Sequence, residues 1–347
     1  MALLILQEET QLPKNKKERL EKQQYRTVGN HSAVKICFWC KKSIQGTGEC
    51  YKQDFYKIDS HRCLEMSPAI TCNKRCKHCW RDTSVFSTGW KGPIDSPKEI
   101  IEGCIKARTK LLNGFKGSKT ADKTKVEESF MPTNVAISLT GEPMMYPRYP
   151  ELIKEFFKSG LKTVFAVTSG TVPETIKKLD VWPTNVYLSV EAWDYEMYKK
   201  LCIPVISDAW EKFLESAELL KNAPTRTIMR ITCMKELNMD APEKFAFLAQ
   251  KMQPDIIECK SYAWMGYSKQ RMKRENTPNY EEVKEFAQKL GTATGYELSL
   301  SKAGSDIVLL RRITKRTVGK EEFIYEGPEK EIEKQEEHLQ KIMKLIY

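Results

Sequence analysis

The chain has 347 residues, 41% of them hydrophobic, and a formal charge of +11. That is enough apolar material for one large or two medium cores, and no run approaches the ~18 apolar residues that would span a bilayer. The opening Ala2–Leu6 run is too short for a signal-peptide core and leads into acidic residues, so a cytoplasmic protein without membrane association is expected.

Residues 1–30 are polar and weakly periodic and read as an irregular or helical extension. Beyond residue 66, short β-branched runs recur at 134–140, 163–168, 185–190, 227–233 and 256–260, with a weaker one at 66–71. Between them, 97–112, 149–157, 208–221 and 242–251 carry apolar residues at three- and four-residue intervals, and Ser96-Pro97 and Asp240-Ala241-Pro242 are good helix starts. Alternating strands and helices imply parallel βαβ units. Six of them fit an open (β/α)6 barrel or a doubly wound sheet. The Lys-, Thr- and Glu-rich stretch 114–130 reads as a flexible surface loop, and the tail as two apolar runs (297–301 and 306–310) followed by a charged helix over 328–345. The expected division is an N-terminal extension over 1–65, a barrel over 66–300 and a strand-and-helix extension over 301–347.

Basic residues crowd 14–26, 106–125, 269–274 and 311–320. Such runs are either solvated faces or sites for a polyanion such as nucleic acid.

The eleven cysteines are unevenly placed. Cys37, Cys40, Cys50, Cys63, Cys72, Cys76 and Cys79 are clustered, whereas Cys104, Cys202, Cys233 and Cys259 lie in apolar contexts and read as packing residues. In a reducing compartment the cluster argues for metal or catalysis rather than disulfides. Cys72, Cys76 and Cys79 lie on one tight Cys-x3-Cys-x2-Cys loop. Three thiolates there can hold three corners of a cubane and leave its fourth iron open, with Trp80 shielding it. A closed zinc site would need a fourth ligand, His78 or His61, and more often uses Cys-x2-Cys pairs.

This spacing resembles the radical S-adenosylmethionine superfamily, which implies a partial (β/α)6 TIM-like barrel, a [4Fe–4S] cluster and S-adenosylmethionine. In such a barrel the site lies at the C-terminal ends of the strands. Glu142 in Thr140-Gly141-Glu142-Pro143, Ser169 after Thr168, and Ser189 and Glu191 around Val190 are therefore candidate cofactor-binding residues. Thr168 itself reads as a helix cap. Arg230, mid-strand, could face a carboxylate of S-adenosylmethionine, pair with Glu191, or serve a structural ion pair.

More specifically, from His31-Ser32-Ala33-Val34-Lys35 to about residue 310 the chain resembles the tRNA 4-demethylwyosine synthases. The likeness runs through Ser60-His61-Arg62-Cys63, Cys79-Trp80-Arg81, Thr140–Pro147 and Gly266-Tyr267-Ser268. The resemblance implies a second [4Fe–4S] cluster on Cys37, Cys50 and Cys63, each separated from the next by twelve intervening residues. It also implies a carbon–carbon lyase that rebuilds N1-methylguanosine-37 of tRNA(Phe) into 4-demethylwyosine with two carbons of pyruvate. Lys52 becomes the candidate catalytic residue, as an imine-forming amine; alternatively the second cluster chelates pyruvate and Lys52 neutralises its carboxylate. The flavodoxin-like domain of longer members is absent, so an external electron donor and a monomer are expected. Cys40 departs from the family pattern and leaves a Cys37/Cys40 zinc pair open. Segments 269–274 and 311–316 are candidates to grip RNA, and Trp264 and Tyr267 to stack on a base, with Tyr262 assigned to the core. Other radical chemistry, or a zinc-stabilised RNA-binding module, are the competing functions.

Overall fold

In the computed structural model, which describes residues 14–84 and 86–347, ten strands form one sheet. The Ala2–Leu6 run and the start of the charged extension lie outside the described residues. In chain order the strands are β1 (Arg26–Val28), β2 (Ser32–Lys35), β3 (Cys63–Ser67), β4 (Asn134–Ile137), β5 (Thr163–Thr168), β6 (Asn185–Val190), β7 (Arg226–Cys233), β8 (Ile256–Ser261), β9 (Tyr296–Lys302) and β10 (Ile307–Arg312). Their spatial order is β1-β2-β3-β4-β5-β6-β7-β8-β10-β9. β3 to β8 are parallel, and antiparallel pairs extend both flanks. Six parallel strands running in sequence without a reversal are an open partial barrel; a doubly wound sheet would reverse at a switch point. The sheet continues across both expected domain boundaries, since β3 begins at Cys63 and β9 spans the second.

Both faces of the central strands are buried, which is why β4 and β5 are near-continuous apolar runs rather than alternating. On β5, Val164 and Ala166 join the outer core beneath the helices, while Phe165 points inward with Tyr187, Ile228 and Ile256 from β6 to β8. The short helix Tyr51–Tyr56 enters this inner layer and places Tyr51, Phe55 and Tyr56 in it. All four cysteines read as packing residues are fully buried in the outer core.

Two expectations need correction. The strand placed at 66–71 lies at Cys63–Ser67, because Pro68 has no N–H for the ladder. Cys63 therefore opens a strand. The stretch 114–130 is not a flexible loop: helix Pro97–Lys116 runs into it, and a second helix occupies Lys123–Ser129. Asp122 caps that helix by accepting from the Lys125 N–H, and Val126 packs into a small core with Ile36, Cys40 and Ile44. The polar composition hid a helix that buries a single narrow stripe.

The tail helix Glu331–Ile346 closes the N-terminal end of the barrel, where Arg226 pairs with Glu331 at 2.6 Å and Gln335 meets Thr163 Oγ1 at 2.8 Å.

Candidate active site

A cavity of about 190 Å³ opens at the C-terminal ends of β3 to β6. Its wall includes Cys72, Cys76 and Cys79 together with Glu142, Ser169, Ser189 and Glu191, so these sequence candidates converge on one place. Arg230 does not line it.

The cysteine loop is fastened from behind. The N–H groups of Arg75 and Lys77 donate to the Cys202 and Leu201 carbonyls at the end of helix Tyr195–Cys202, and Ser87 N–H donates to Cys72 O. Glu191, 5% exposed, lies 3.7 Å from Lys74 Nζ and 3.5 Å from His78 Nε2. It thus pins the loop electrostatically while facing the cavity, and it engages one of the two histidines a zinc site could have used. Cys202 is more than filler: its thiol donates to Glu191 Oε2 at 3.6 Å and, beside Cys76, holds the Cys76 pKa down. Arg271 donates to the carbonyls of Lys77 and Cys79, so one residue of the basic run 269–274 braces this loop. Trp80 is not part of the cavity wall; its ring packs towards Tyr25, with Lys35 over its face.

Glu142 is 1% exposed and its carboxylate accepts from Thr168 Oγ1 at 2.8 Å, Ser169 N–H at 2.6 Å and Met144 N–H at 3.1 Å. It knits the ends of β4 and β5, and Thr168 donates to it rather than capping a helix. Gly141 has φ +71, and a Cβ there would sit 2.0 Å from Ala69 O and 2.4 Å from Thr71 O. Gly141→Ala combines a left-handed backbone with a clash against main chain that cannot step aside. It is expected to destabilise the protein by about 3 kcal/mol or more in chemical denaturation of the metal-free chain.

A second set of thiols gathers beside the barrel. Cys37 precedes helix Phe38–Ile44, Cys50 precedes helix Tyr51–Tyr56, and Cys63 opens β3. Burial raises all three pKa values, that of Cys63 to about 12; the charge of Lys52 works against it at Cys50 and Cys63, while Glu65 and the neighbouring thiols add to it at Cys37. Metal ligation is the chemistry that ionises such thiols. Cys40 is buried behind them, its thiol turned to His61 O at 3.5 Å, and His61 itself is held by Glu128 at 2.6 Å. Among the described residues no three His, Cys, Asp or Glu side chains converge on a single ion. Each thiolate of a cubane meets an iron of its own, so both cysteine sets suit clusters by donor type.

Lys52 extends from the Tyr51–Tyr56 helix into the barrel, its Nζ 4.1 Å from the Phe165 ring centroid and 5.1 Å from that of Tyr187. Lys260 lies on the same side of Cys50, and burial pushes its pKa down to about 8. Inward-facing Glu65 interacts with Arg81 of the first cavity and with Lys52, placing a carboxylate between the two cysteine sets. Below them Glu258, wholly buried, accepts from Tyr56 at 2.6 Å and Tyr187 at 3.2 Å and pairs with Arg230, which also reaches Tyr51 Oη at 2.9 Å. Of the options open for Arg230, the structure contains the internal ion pair. Glu65, Lys74 and Lys260 were not singled out from the sequence. Lys74, inside the cysteine loop, had a positional signal; the others are single charged residues in strands whose facing only the barrel reveals.

The RNA candidates divide. Arg316 is buried on Asp255 at 2.8 Å and donates to the carbonyls of Ala223 and Thr225, so it is not available to a phosphate. Trp264 donates its indole N–H to Met272 O but keeps a partly open face under Lys269. Tyr262 is buried on Ser268, as expected.

Residues 66–249 match the Radical SAM superfamily and residues 251–312 match the Wyosine base formation family. The chain is 43% identical over 315 residues to the S-adenosyl-L-methionine-dependent tRNA 4-demethylwyosine synthase of Pyrococcus horikoshii, covering 89% of this chain and 92% of that protein.

The chain belongs to the tRNA 4-demethylwyosine synthase family.

A rice member, 38% identical over 300 residues, is about twice as long: the match covers 85% of this chain and 46% of the rice protein. Two solved members of the family superpose along nearly their whole length. The structure of TYW1 with a lysine–pyruvate adduct bound aligns with a TM-score of 0.78 at 32% identity, covering 87% of this chain and 96% of that one. The crystal structure of archaeal TYW1 aligns with a TM-score of 0.73 at 29% identity, covering 88% and 99%. The family is enzymatic and its first domain uses S-adenosylmethionine with an iron–sulfur cluster, which fits the cavity walled by Cys72, Cys76 and Cys79.

Proposed function

We propose that this protein converts N1-methylguanosine-37 of tRNA(Phe) to 4-demethylwyosine, taking two carbons from pyruvate, as a cytoplasmic monomeric carbon–carbon lyase supplied with electrons by an external donor. One [4Fe–4S] cluster is assigned to Cys72, Cys76 and Cys79 and a second to Cys37, Cys50 and Cys63. A cubane with an open iron, when bound at the first set, supplies the electron that splits the S–C5′ bond of S-adenosylmethionine.

The rest falls to this chain's own groups. Glu142 and Glu191 hold the cavity's two walls in register, the first through β5 and the second through Lys74 and His78. Ser169 and Ser189 offer hydroxyls at the same strand ends to the polar atoms of the cofactor. Lys52 stands inside the barrel over two aromatic rings, where its amine can meet the ketone carbon of pyruvate. Its attack on pyruvate C2 and loss of water give an imine that tethers the carbon donor. Lys260 is close enough to the same region to balance a carboxylate.

The observation that carries this reading is the placement of an aromatic-lined lysine beside one cysteine set while a second set walls the adjacent cavity. A lysine–pyruvate adduct in a family structure supports it. The test is oxygen-free incubation with N1-methylguanosine-containing tRNA, pyruvate, S-adenosylmethionine and a reductant, followed by nucleoside mass analysis. The expected product is 4-demethylwyosine; unchanged N1-methylguanosine with intact clusters overturns the assignment.

A further inference from the structure

We infer that Arg108 is the charge partner of the metal centre held by Cys37, Cys50 and Cys63 and sets that centre's redox equilibrium. This rests on the proposed second cluster. Arg108 lies on helix Pro97–Lys116 and is 1% exposed. Its Nε donates to Cys63 O at 3.2 Å, its Nη2 to His61 O at 2.7 Å and its Nη1 to Ser129 O. It is within hydrogen-bonding reach of the Cys40 thiol. Among the described residues it forms no ion pair with a carboxylate, whereas the other fully buried guanidinium, Arg316, has Asp255.

A guanidinium does not give up its proton in a protein, and a buried charge without a counter-charge is expensive. Three carbonyls solvate Arg108 but bring no net charge. Of the groups that can become anionic, those acting most on it are the thiols Cys40, Cys63 and Cys37. Arg108 is bonded to the backbone of one ligand of this set and among the described residues has no carboxylate of its own, and thiolates holding a metal would supply the missing negative charge. A cubane with three thiolates carries net negative charge, and one added electron makes it more negative, with no bond formed or broken. A fixed cation beside the Cys63 ligand favours that reduced state. Lys52 also acts on Cys63 and Cys50, and Lys260 on Cys50, but from the barrel interior, where substrate is proposed to enter. Arg108 acts from behind Cys63, through carbonyls on either side of that ligand, so it is a positioning and tuning residue rather than a catalytic one.

The test is an EPR-monitored redox titration, with dithionite and mediators, of the anaerobically reconstituted full-length enzyme. The signal to follow is the one that S-adenosylmethionine does not perturb. Iron content and melting of the metal-free chain are measured alongside. In Arg108→Met the reduction equilibrium of that centre is expected to fall at least about tenfold, or ~59 mV for one electron. Arg108→Lys, which keeps the charge but loses the fork to the carbonyls, restores most of it. An unchanged midpoint in the Met variant overturns the inference, as does a Lys variant no better than Met. If Met loses the iron of this centre, the Lys variant decides: iron and midpoint retained support a charge role, and both lost refute it. Wild-type protein with about four irons per chain instead of about eight would remove the second cluster itself, a failure distinct from either variant result.

Discussion

Cys76→Ala is expected to abolish reductive cleavage of S-adenosylmethionine, with 5′-deoxyadenosine formation falling by more than about 10²-fold, beyond the usual loss from an outer-shell partner. Cys76 is the central thiol of the loop, lies in the cavity wall, and is the one whose pKa is held down, by the Cys202 thiol. Removing it leaves two thiolates for three irons. The loop itself should keep its shape, because its main chain is anchored on Cys202, Leu201 and Ile203 carbonyls and its charges on Glu191. The variant is therefore expected to melt near wild type in the metal-free state while its iron falls by the share of one cluster. Chromatographic assay of 5′-deoxyadenosine with dithionite as donor reads the effect, and retained cleavage with the Cys37, Cys50 and Cys63 site intact would refute the assignment of the loop.

Lys52→Met should do the opposite. Cleavage of S-adenosylmethionine survives, because Lys52 does not line the Cys72–Cys79 cavity, while modified nucleoside falls by about 10²-fold or more. Methionine preserves the packing against Phe165 and Tyr187 but cannot tether pyruvate, so the gain from holding two reactants in register is lost. The paired measurement is borohydride reduction with labelled pyruvate. The wild type is expected to retain label at Lys52 and the variant none. A wild type that takes up no label under turnover conditions would shift pyruvate binding to the metal centre, with Lys52 as a carboxylate partner. A variant that still makes product at wild-type rates would remove Lys52 from the mechanism altogether.

Much of this architecture was legible in the chain. The β-branched runs at 163–168 and 185–190 match β5 and β6 end to end. Strands buried on both faces are continuous apolar segments, and those are easily seen. The Cys-x3-Cys-x2-Cys loop was legible for a similar reason: its ligands are close in sequence, so local spacing carries the geometry. Glu142, Ser169, Ser189 and Glu191 could be placed because parallel strands deliver their C-terminal ends to one face. Helix Lys123–Ser129 was missed because a seven-residue helix with one buried stripe has too little periodicity to separate from a charged loop. Arg316 and Arg271 were misread because a basic residue in a basic run looks the same whether it meets solvent or an internal carbonyl.

From its letters alone, then, the chain declared a family, a parallel βα rhythm and a triad of neighbouring thiols, all of which depend on residues near one another along the backbone. Where the remaining charges point was decided only by closure of the barrel. Arg230 turned to Glu258, Glu191 to Lys74 and His78, Lys52 to Phe165, and Arg108 to the carbonyls around Cys63. These pairings join segments far apart in the chain. A side chain's charge finds its specific partners only once folding removes water and leaves it the few neighbours that packing supplies.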